Sequence, residues 1–273
     1  MNAQPTSPGM ASHASTSTTD PPVDAYESVT QYSRTRVLAI WAATTIPMAL
    51  LAWLGAPQLA HHLGGPDPFI SALLITFIVG LAWQLALVLL LVRHEQGGLR
   101  RSQVCAALWL RTPHNARTGR TGGKVWWWAV PFVLLSAAVN VLPFDPQGPL
   151  PRDLPKTLEL DRVRLEHFFH GNWSAFGLLV VMALMSPIVE ELFFRGLLLP
   201  RMRTAFGKAD VVANGMMFGL YHLHQPWSIP NSVIDGIVSQ AYPTKRFQSI
   251  WFAIFAHTMP SFVIIGAVIP LVL

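Results

Sequence analysis

Long apolar stretches, separated by short polar or basic connections, dominate the chain. Several run for about 18 or more nearly uncharged residues, the length that a helix needs to cross the hydrocarbon core of a bilayer. A shorter apolar stretch, 211–223, can span the bilayer only if it is tilted or shielded by neighbouring helices. Residues 229–242 fit a short or re-entrant membrane segment. The pattern predicts an all-α, polytopic transmembrane bundle of about six or seven membrane helices. The long stretches are 37–60, 69–92, 125–144, 173–189 and 250–273.

Composition supports a membrane protein and excludes several other classes. Hydrophobic residues make up 52% of the 273 and charged residues only 12%, which no ordinary soluble domain shows. The basic residues behind the pI of about 9.8 lie mainly in the connections. They therefore indicate contacts with membrane lipids, and nucleic acid is not an expected partner. Cys105 is the single cysteine, so no intrachain disulfide can form.

The polar and basic segments predict the topology. Residues 1–33 are rich in Ser, Thr and Pro and lack the features of a signal peptide, so we expect a disordered cytosolic tail. The connection 93–124 is rich in Arg and Lys, whereas 61–68 has neither. This asymmetry places the N-terminus in the cytosol. The basic stretch 99–111 fits an interfacial amphipathic helix. With no organelle signal, the expected location is a cell membrane, most simply a bacterial plasma membrane.

Two adjacent glutamates, Glu190 and Glu191, lie within the apolar stretch 184–196. A charged side chain at the bilayer centre costs at least about 2.5 kcal/mol, so the pair needs partners inside the bundle and indicates a functional site. Arg195 follows Glu191 by four residues, an order that favours an ion pair along one helix face. Glu190 lies about 100° further round the helix. It is therefore available to other helices, or else is satisfied by nearby hydroxyl or backbone groups.

His222 and His257, in the following apolar stretches, are the candidate partners of Glu190. Counted from the nearest basic residue of each stretch at about 1.5 Å per residue, all three side chains lie at a similar depth of roughly 16 to 21 Å. A carboxylate and two imidazoles suffice to activate water and to stabilise an oxyanion. The same three residues also provide a possible three-ligand zinc site with an open position. His224 lies on another face, which favours a role in a loop or cap.

Three short motifs carry a resemblance to a known family. They are Glu-Glu-x-x-x-Arg at 190–195, Phe-x-x-x-His at 218–222, and His257 in the last apolar stretch. Together they resemble the CPBP family of intramembrane proteases, also called Abi, which includes CAAX prenyl endopeptidases and bacteriocin-processing proteins. The resemblance covers about 100 residues, 174–266, and the rest of the chain matches only in being a membrane bundle.

The resemblance implies roles for the residues of these motifs. Glu190 would activate the attacking water, and Glu191 and Arg195 would support the site from the same helix. His222 and His257 would complete the catalytic pocket. Members are described both as metalloproteases and as glutamate-dependent enzymes, so a zinc ion held by Glu190, His222 and His257 and a metal-free mechanism both remain open.

One position departs from the family pattern. Four residues after the last histidine the family usually has Asn, whereas this chain has Ser261, whose hydroxyl faces the same way as His257 and can donate to an oxyanion. The expected organisation is a tail at 1–33, transmembrane helices and loops at 34–165, and a catalytic transmembrane domain at 166–273.

The expected function is that of an intramembrane endopeptidase. It would hydrolyse a peptide bond of a membrane-associated or lipidated peptide or protein through a water activated by glutamate. Two alternatives belong to other classes. A catalytically inactive CPBP-like protein would act by binding a partner, as in bacteriocin immunity, and a proton-coupled transporter would use Glu and His as a relay.

Overall fold

The computed structural model describes residues 29–141 and 162–273. Most of the predicted tail, 1–28, and residues 142–161 lie outside the described residues. The end of the predicted tail packs against the bundle instead of being disordered. The backbone N–H of Tyr32 donates to the Arg201 carbonyl at 3.0 Å, and the Tyr32 side chain is buried.

The described part of the chain is almost entirely helical, as predicted, apart from one small antiparallel hairpin, β1 His114–Asn115 and β2 Arg120–Thr121. Two of the long helices contain a π-helical turn, Leu51–Gly55 and Leu192–Leu198, and the ninth helix contains another. In chain order the helices are α1 Arg34–Ala60, α2 Pro68–Gln96, α3 Arg101–Ala107, α4 Ala129–Val141, α5 Arg162–Phe169, α6 Trp173–Arg201, α7 Arg203–Phe206, α8 Asp210–Tyr221, α9 229–247 and α10 Trp251–Val272.

Four helices, α1, α2, α6 and α10, are long and apolar enough to cross a membrane. They coincide with four of the five long stretches predicted from the sequence and make this a multi-pass membrane protein. The remaining long stretch, 125–144, forms a 3₁₀ turn and then the 13-residue helix α4, which reaches the end of the described segment. The described residues thus contain four long spans, and the predicted total of about six or seven membrane helices, which includes the short segments 211–223 and 229–242, stays a prediction.

Helices α8 and α9 form a helical hairpin that supplies the short segment expected near 229–242. At 12 residues, α8 is about 18 Å long. The base of the hairpin is held by an ion pair from Lys245 to the fully buried Asp210. The hairpin tip, residues 222–228, consists of two short 3₁₀ turns. Its residues are partly buried or exposed, and it lies at the opposite end of the hairpin from the charged base.

Glycines allow the two arms of this hairpin to approach closely. A Cβ atom added at Gly215 would lie 2.3 Å from Ile237, and one at Gly219 would lie 2.2 Å from the side chain and 2.9 Å from the backbone nitrogen of Val233. The spacing Gly-x-x-x-Gly places both positions on one face of α8. This backbone contact fixes the tip relative to α6 and α10.

The connection after α2 differs from the predicted interfacial helix over 99–111. Helix α3 is only seven residues long, and the residues after it are buried under the end of α6. A Cβ atom added at Gly196 would lie 3.0 Å from the Leu108 carbonyl oxygen, so α6 and this connection are in direct contact. The end of the basic stretch therefore packs against the bundle, and its contact with membrane lipids stays a prediction.

Arg201 lies at the end of α6 and is fully buried. Its guanidinium donates to Glu95 at 2.7 Å and to the carbonyl oxygens of Leu197 at 2.8 Å and Ala107 at 3.1 Å. The Tyr32 hydroxyl donates to the same Glu95 carboxylate. These contacts bind the N-terminal segment, α2 and α6 into one cluster.

Replacing Gly219 by Ala should destabilise the protein by about 1–3 kcal/mol, because the new methyl group has no room against Val233. Gly177→Ala is the matched control, since a Cβ atom there has nothing within 4 Å. It should leave the protein unchanged or slightly more stable. The measurement is the unfolding midpoint in detergent micelles. Equal midpoints for the two variants would contradict the close packing of the hairpin.

Candidate active site

Helix α6 changes its winding at the two glutamates. The α-helical part ends at Glu191, and the π-helical turn Leu192–Leu198 follows, carrying Arg195. Such turns often occur at functional sites because they redirect side chains. Pro187, one turn earlier, cannot donate a backbone hydrogen bond and so loosens the helix there. The irregular winding presents Glu190 and Glu191 to different neighbours.

The Glu191 carboxylate is fully buried and joins three parts of the bundle. Its Oε1 accepts from Arg195 Nη1 at 3.0 Å, which confirms the predicted ion pair. The same oxygen accepts from His257 Nδ1 of α10 at 2.8 Å. Arg195 in turn donates to the Gly236 carbonyl of α9 at 3.2 Å and lies 4.1 Å from the ring centre of Phe218. Glu191 thus connects α6 to the last helix directly and to the hairpin through Arg195.

His257 therefore has a different principal partner from the one expected. The sequence predicted that both histidines would serve Glu190, but the hydrogen bond from His257 goes to Glu191, and His257 Nε2 lies 3.9 Å from Glu190 Oε2. A carboxylate only accepts hydrogen bonds, so the proton of this bond belongs to Nδ1. The Nε2 atom is consequently left facing the Glu190 side.

The two oxygens of Glu190 have unlike surroundings. Oε1 accepts from the Ser186 hydroxyl at 2.7 Å, so part of the carboxylate is satisfied by a neighbouring hydroxyl, the alternative left open by the sequence. Oε2 is buried and has no hydrogen-bond partner among the residues that the structure describes. Glu190 also lines a cavity of about 90 Å³ between α2, α6 and the hairpin tip. One carboxylate oxygen thus lies unpaired at a space large enough for water.

His222 lies at the tip of the hairpin, immediately after α8. Its Nδ1 is 2.9 Å from the Phe218 carbonyl oxygen, which can only accept, so Nδ1 donates and Nε2 is free for other partners. His222 lines the Glu190 cavity and also a second cavity of about 180 Å³ that His257 lines. The structure thereby places Glu190, His222 and His257 around adjoining spaces, in line with their similar predicted depths.

The sequence suggested that His224 lies on another face than His222, but the structure brings the two rings together. The 3₁₀ turn brings its ring to 5.4 Å from the His222 ring at an angle of 27°, a stacked arrangement, and His224 lines the Glu190 cavity. Helical periodicity does not apply in a 3₁₀ turn, where side chains recur with a different spacing. Gln225, not considered from the sequence, lines both cavities.

Ser261 lies one helical turn after His257, as its spacing predicts, and is buried. It is not among the residues that line the Glu190 cavity or the second cavity. Sequence reasoning also missed Asp235, Gln240 and Asn140, which line the second cavity. The only available signal was the presence of polar residues in apolar segments, and that signal did not indicate which of them lie together.

A metal site was one of the predicted possibilities. No group of three or more His, Cys, Asp or Glu side chains suited to a metal ion occurs within residues 29–141 and 162–273. Glu190 Oε2, the free Nε2 of His222 and the Nε2 of His257 are chemically suitable donors, since the bond from His257 to Glu191 uses only Nδ1. Zinc binding by Glu190, His222 and His257 therefore stays a prediction for direct measurement.

Comparison with known families identifies the part of the chain that contains the site. Residues 172–263 match the family model described as type II CAAX prenyl endopeptidase Rce1-like. The matched segment includes Glu190, Glu191, Arg195, His222 and His257. The resemblance to the CPBP and CAAX protease family is therefore confirmed over this segment. Neither the curated proteins nor the solved structures contain a match to the chain.

Glu191→Gln should destabilise the protein by about 3–5 kcal/mol, because removal of one partner of a buried ion pair leaves Arg195 uncompensated. Glu190→Gln should cost much less, since the amide oxygen still accepts from Ser186 and Oε2 has no partner to lose among the described residues. Chemical unfolding of the purified variants in micelles measures both effects. A larger loss for Glu190→Gln would contradict the division of roles between the two glutamates.

Proposed function

We propose that this protein is an intramembrane endopeptidase in which Glu190 activates water for hydrolysis of a peptide bond. The observation that carries the proposal is the unpaired Glu190 Oε2, buried at a cavity that His222 shares and 3.9 Å from His257 Nε2. Glu191 Oε2 is also buried without a partner among the described residues, but of the two carboxylates it is Glu190 that lines the cavity, where a water can reach it. The match of residues 172–263 to a CAAX endopeptidase family supports the same reaction class.

In this mechanism the water lies between two acceptors. It donates one hydrogen to Glu190 Oε2 and the other to His222 Nε2, whose ring is oriented by the bond from Nδ1 to the Phe218 carbonyl oxygen. The oxygen lone pair is then directed at the carbonyl carbon of the substrate. As the new C–O bond forms, Glu190 takes the proton from the water as general base.

The negative charge that develops on the substrate carbonyl oxygen needs a donor. His257 provides one when its Nε2 is protonated, because Glu191 holds Nδ1 and compensates the positive charge of the imidazolium. Arg195 keeps Glu191 in place and does not itself line either cavity. Collapse of the intermediate breaks the C–N bond, and Glu190 passes its proton to the leaving amine. The products are a carboxylic acid and an amine, and Glu190 is again unprotonated.

Ser261 has a lesser role in this mechanism. Loss of a true oxyanion donor typically costs about 100- to 1,000-fold in rate. Since Ser261 lines neither cavity, we expect Ser261→Ala to reduce cleavage by less than about tenfold. A loss of 100-fold or more would place its hydroxyl among the oxyanion donors instead.

The proposed substrate is a membrane-associated or lipidated peptide or protein, and the proposed location is a cell membrane, such as a bacterial plasma membrane, with the N-terminus in the cytosol. Glu190 lies on α6, one of the helices long and apolar enough to cross a membrane, which supports a substrate that is associated with the membrane. The dense Arg and Lys content of 93–124 supports the orientation. If zinc binds, Glu190, His222 and His257 would hold it, and the metal would polarise the substrate carbonyl.

Glu190→Gln and His257→Ala should each abolish detectable cleavage of membrane peptides by protein in lipid nanodiscs, since one removes the base and the other the oxyanion donor. Glu166→Gln is the matched control, because Glu166 is a partly exposed residue paired with Arg162 far from the site in sequence. The measurement is mass spectrometry of the products. Identical products from all variants would overturn the proposal and leave partner binding, or proton-coupled uptake, to be tested.

The metal requirement can be measured independently of the substrate. Because no three-ligand group is assembled within the described residues, we expect less than one equivalent of tightly bound zinc in purified protein. Cleavage should persist in the presence of a chelator. Stoichiometric metal, with loss of cleavage on chelation and recovery on zinc addition, would establish the metalloprotease mechanism.

A further inference from the structure

The second cavity, of about 180 Å³, differs from the Glu190 cavity in its chemistry. It lies beside His222 and His257 and is bounded by α4, the hairpin and α10. Seven of the eleven residues that line it carry amide, hydroxyl or carboxylate groups, and two more are histidines. Such a surface inside an apolar bundle is expensive unless a polar ligand uses it. Its polar lining residues include Asn140, Gln225, Ser232, Asn231, Asp235 and Gln240.

Asp235 is the one carboxylate among the residues that line this cavity, and it is held firmly; His257, which also lines it, is positively charged only when its Nε2 is protonated. Its Oδ2 accepts from the Ser136 hydroxyl of α4 at 3.0 Å and from Gln240 Nε2 at 2.9 Å, and the Ser239 hydroxyl donates to Oδ1. All three neighbours act as donors, which suits a carboxylate. The carboxylate is therefore positioned by its surroundings before any ligand arrives.

The hydrogen bonds of Asp235 leave other acceptors unpaired. Because Gln240 gives its amide nitrogen to Asp235, its Oε1 is directed elsewhere, and this fully buried atom has no partner within the described residues. Asn231 Oδ1 is likewise buried without a partner there. A ligand that supplies donors would satisfy these oxygens, whereas an apolar ligand would leave them unpaired at a cost for each.

The balance of charges around the cavity also favours a ligand that supplies hydrogen-bond donors. Three buried carboxylates lie in this region, those of Glu190, Glu191 and Asp235. Among the described residues, the guanidinium of Arg195 bonds between them. It donates to Glu191 at 3.0 Å and to the carbonyl oxygen of Gly236, the residue after Asp235. With His257 protonated the region still carries excess negative charge. In a desolvated space that excess attracts a cation more strongly than it would in water.

We propose that the second cavity is a specificity subsite for a cationic side chain, lysine or arginine, that lies next to the scissile bond of the substrate. Asp235 supplies the counter-charge, and Gln240 and Asn231 supply neutral acceptors for the remaining N–H groups. The position of this subsite next to the scissile bond rests on the proposed function. The preference for a cation follows from the cavity itself.

Binding tests the subsite without any need for cleavage. The probes are palmitoylated fluorescent peptides that carry one lysine, moved along the sequence, and matched peptides with Nε-acetyl-lysine at the same position. Binding is measured by anisotropy on the Glu190→Gln protein in lipid nanodiscs, so that no peptide is consumed. At one position the lysine peptide should bind about tenfold more tightly, as expected for a hydrogen bond to a charged group. Equal affinities at every position, or no binding at all, would overturn the proposal.

When Asp235→Asn is combined with Glu190→Gln, the ratio of the affinities for the lysine and acetyl-lysine peptides should fall close to one. The acetylated peptide should still bind. Asp67→Asn is the matched control, since Asp67 caps α2 and pairs with Arg164 away from the cavity, and it should keep the ratio. If Asp235→Asn does not fold, Asn231→Leu should lower the ratio several-fold by removing one acceptor. An unchanged ratio in the folded cavity variant would count against the subsite.

Cleavage by protein that retains Glu190 separates this proposal from the proposed function. Cleavage without any preference between the lysine and acetyl-lysine peptides would reject the subsite and leave the peptidase intact. Preferential binding of lysine peptides without their cleavage would reject the peptidase and leave the subsite intact.

Discussion

The buried carboxylate of Glu191 is the contact on which the arrangement of the site depends. It accepts from Arg195 and from His257 through one oxygen, and Arg195 continues the connection to the backbone of the hairpin. A charge in this position is tolerable only because both partners are present. The same interaction that keeps the charge stable therefore also orients His257 and leaves Glu190 without an ionic partner at hydrogen-bond distance.

Close backbone packing supplies the second constraint. The glycine face of α8 lets α9 approach so closely that the hairpin tip reaches the level of the glutamates, where the 3₁₀ turn carries His222 and His224. Without that contact the histidine would not share a cavity with Glu190. The separation of the two cavities by His222 then gives each a distinct chemistry, one at an unpaired carboxylate oxygen and one lined by amides and Asp235.

Sequence alone predicted the helical membrane fold, four of the long spans and the ion pair between Glu191 and Arg195, because apolar length and i,i+4 spacing are local properties. It did not predict that His257 bonds to Glu191, because that contact depends on the rotation of α10 about its axis, which periodicity does not determine. It also placed His224 on the wrong face, since helical spacing fails in the 3₁₀ turn. The burial of Arg201 also could not be predicted, because its partner, Glu95, lies far away in the chain.

Chemical rescue by formate tests the central claim, that Glu190 is the proton acceptor and Glu191 the positioning group. Glu190→Ala should lose cleavage and regain it when formate is added, because the cavity beside it, already about 90 Å³, has room for a small carboxylate. Glu191→Ala should not be rescued, since formate cannot restore the bonds to Arg195 and His257 together. Rescue of the Glu191 variant, or of neither variant while the unmodified protein cleaves, would contradict the account.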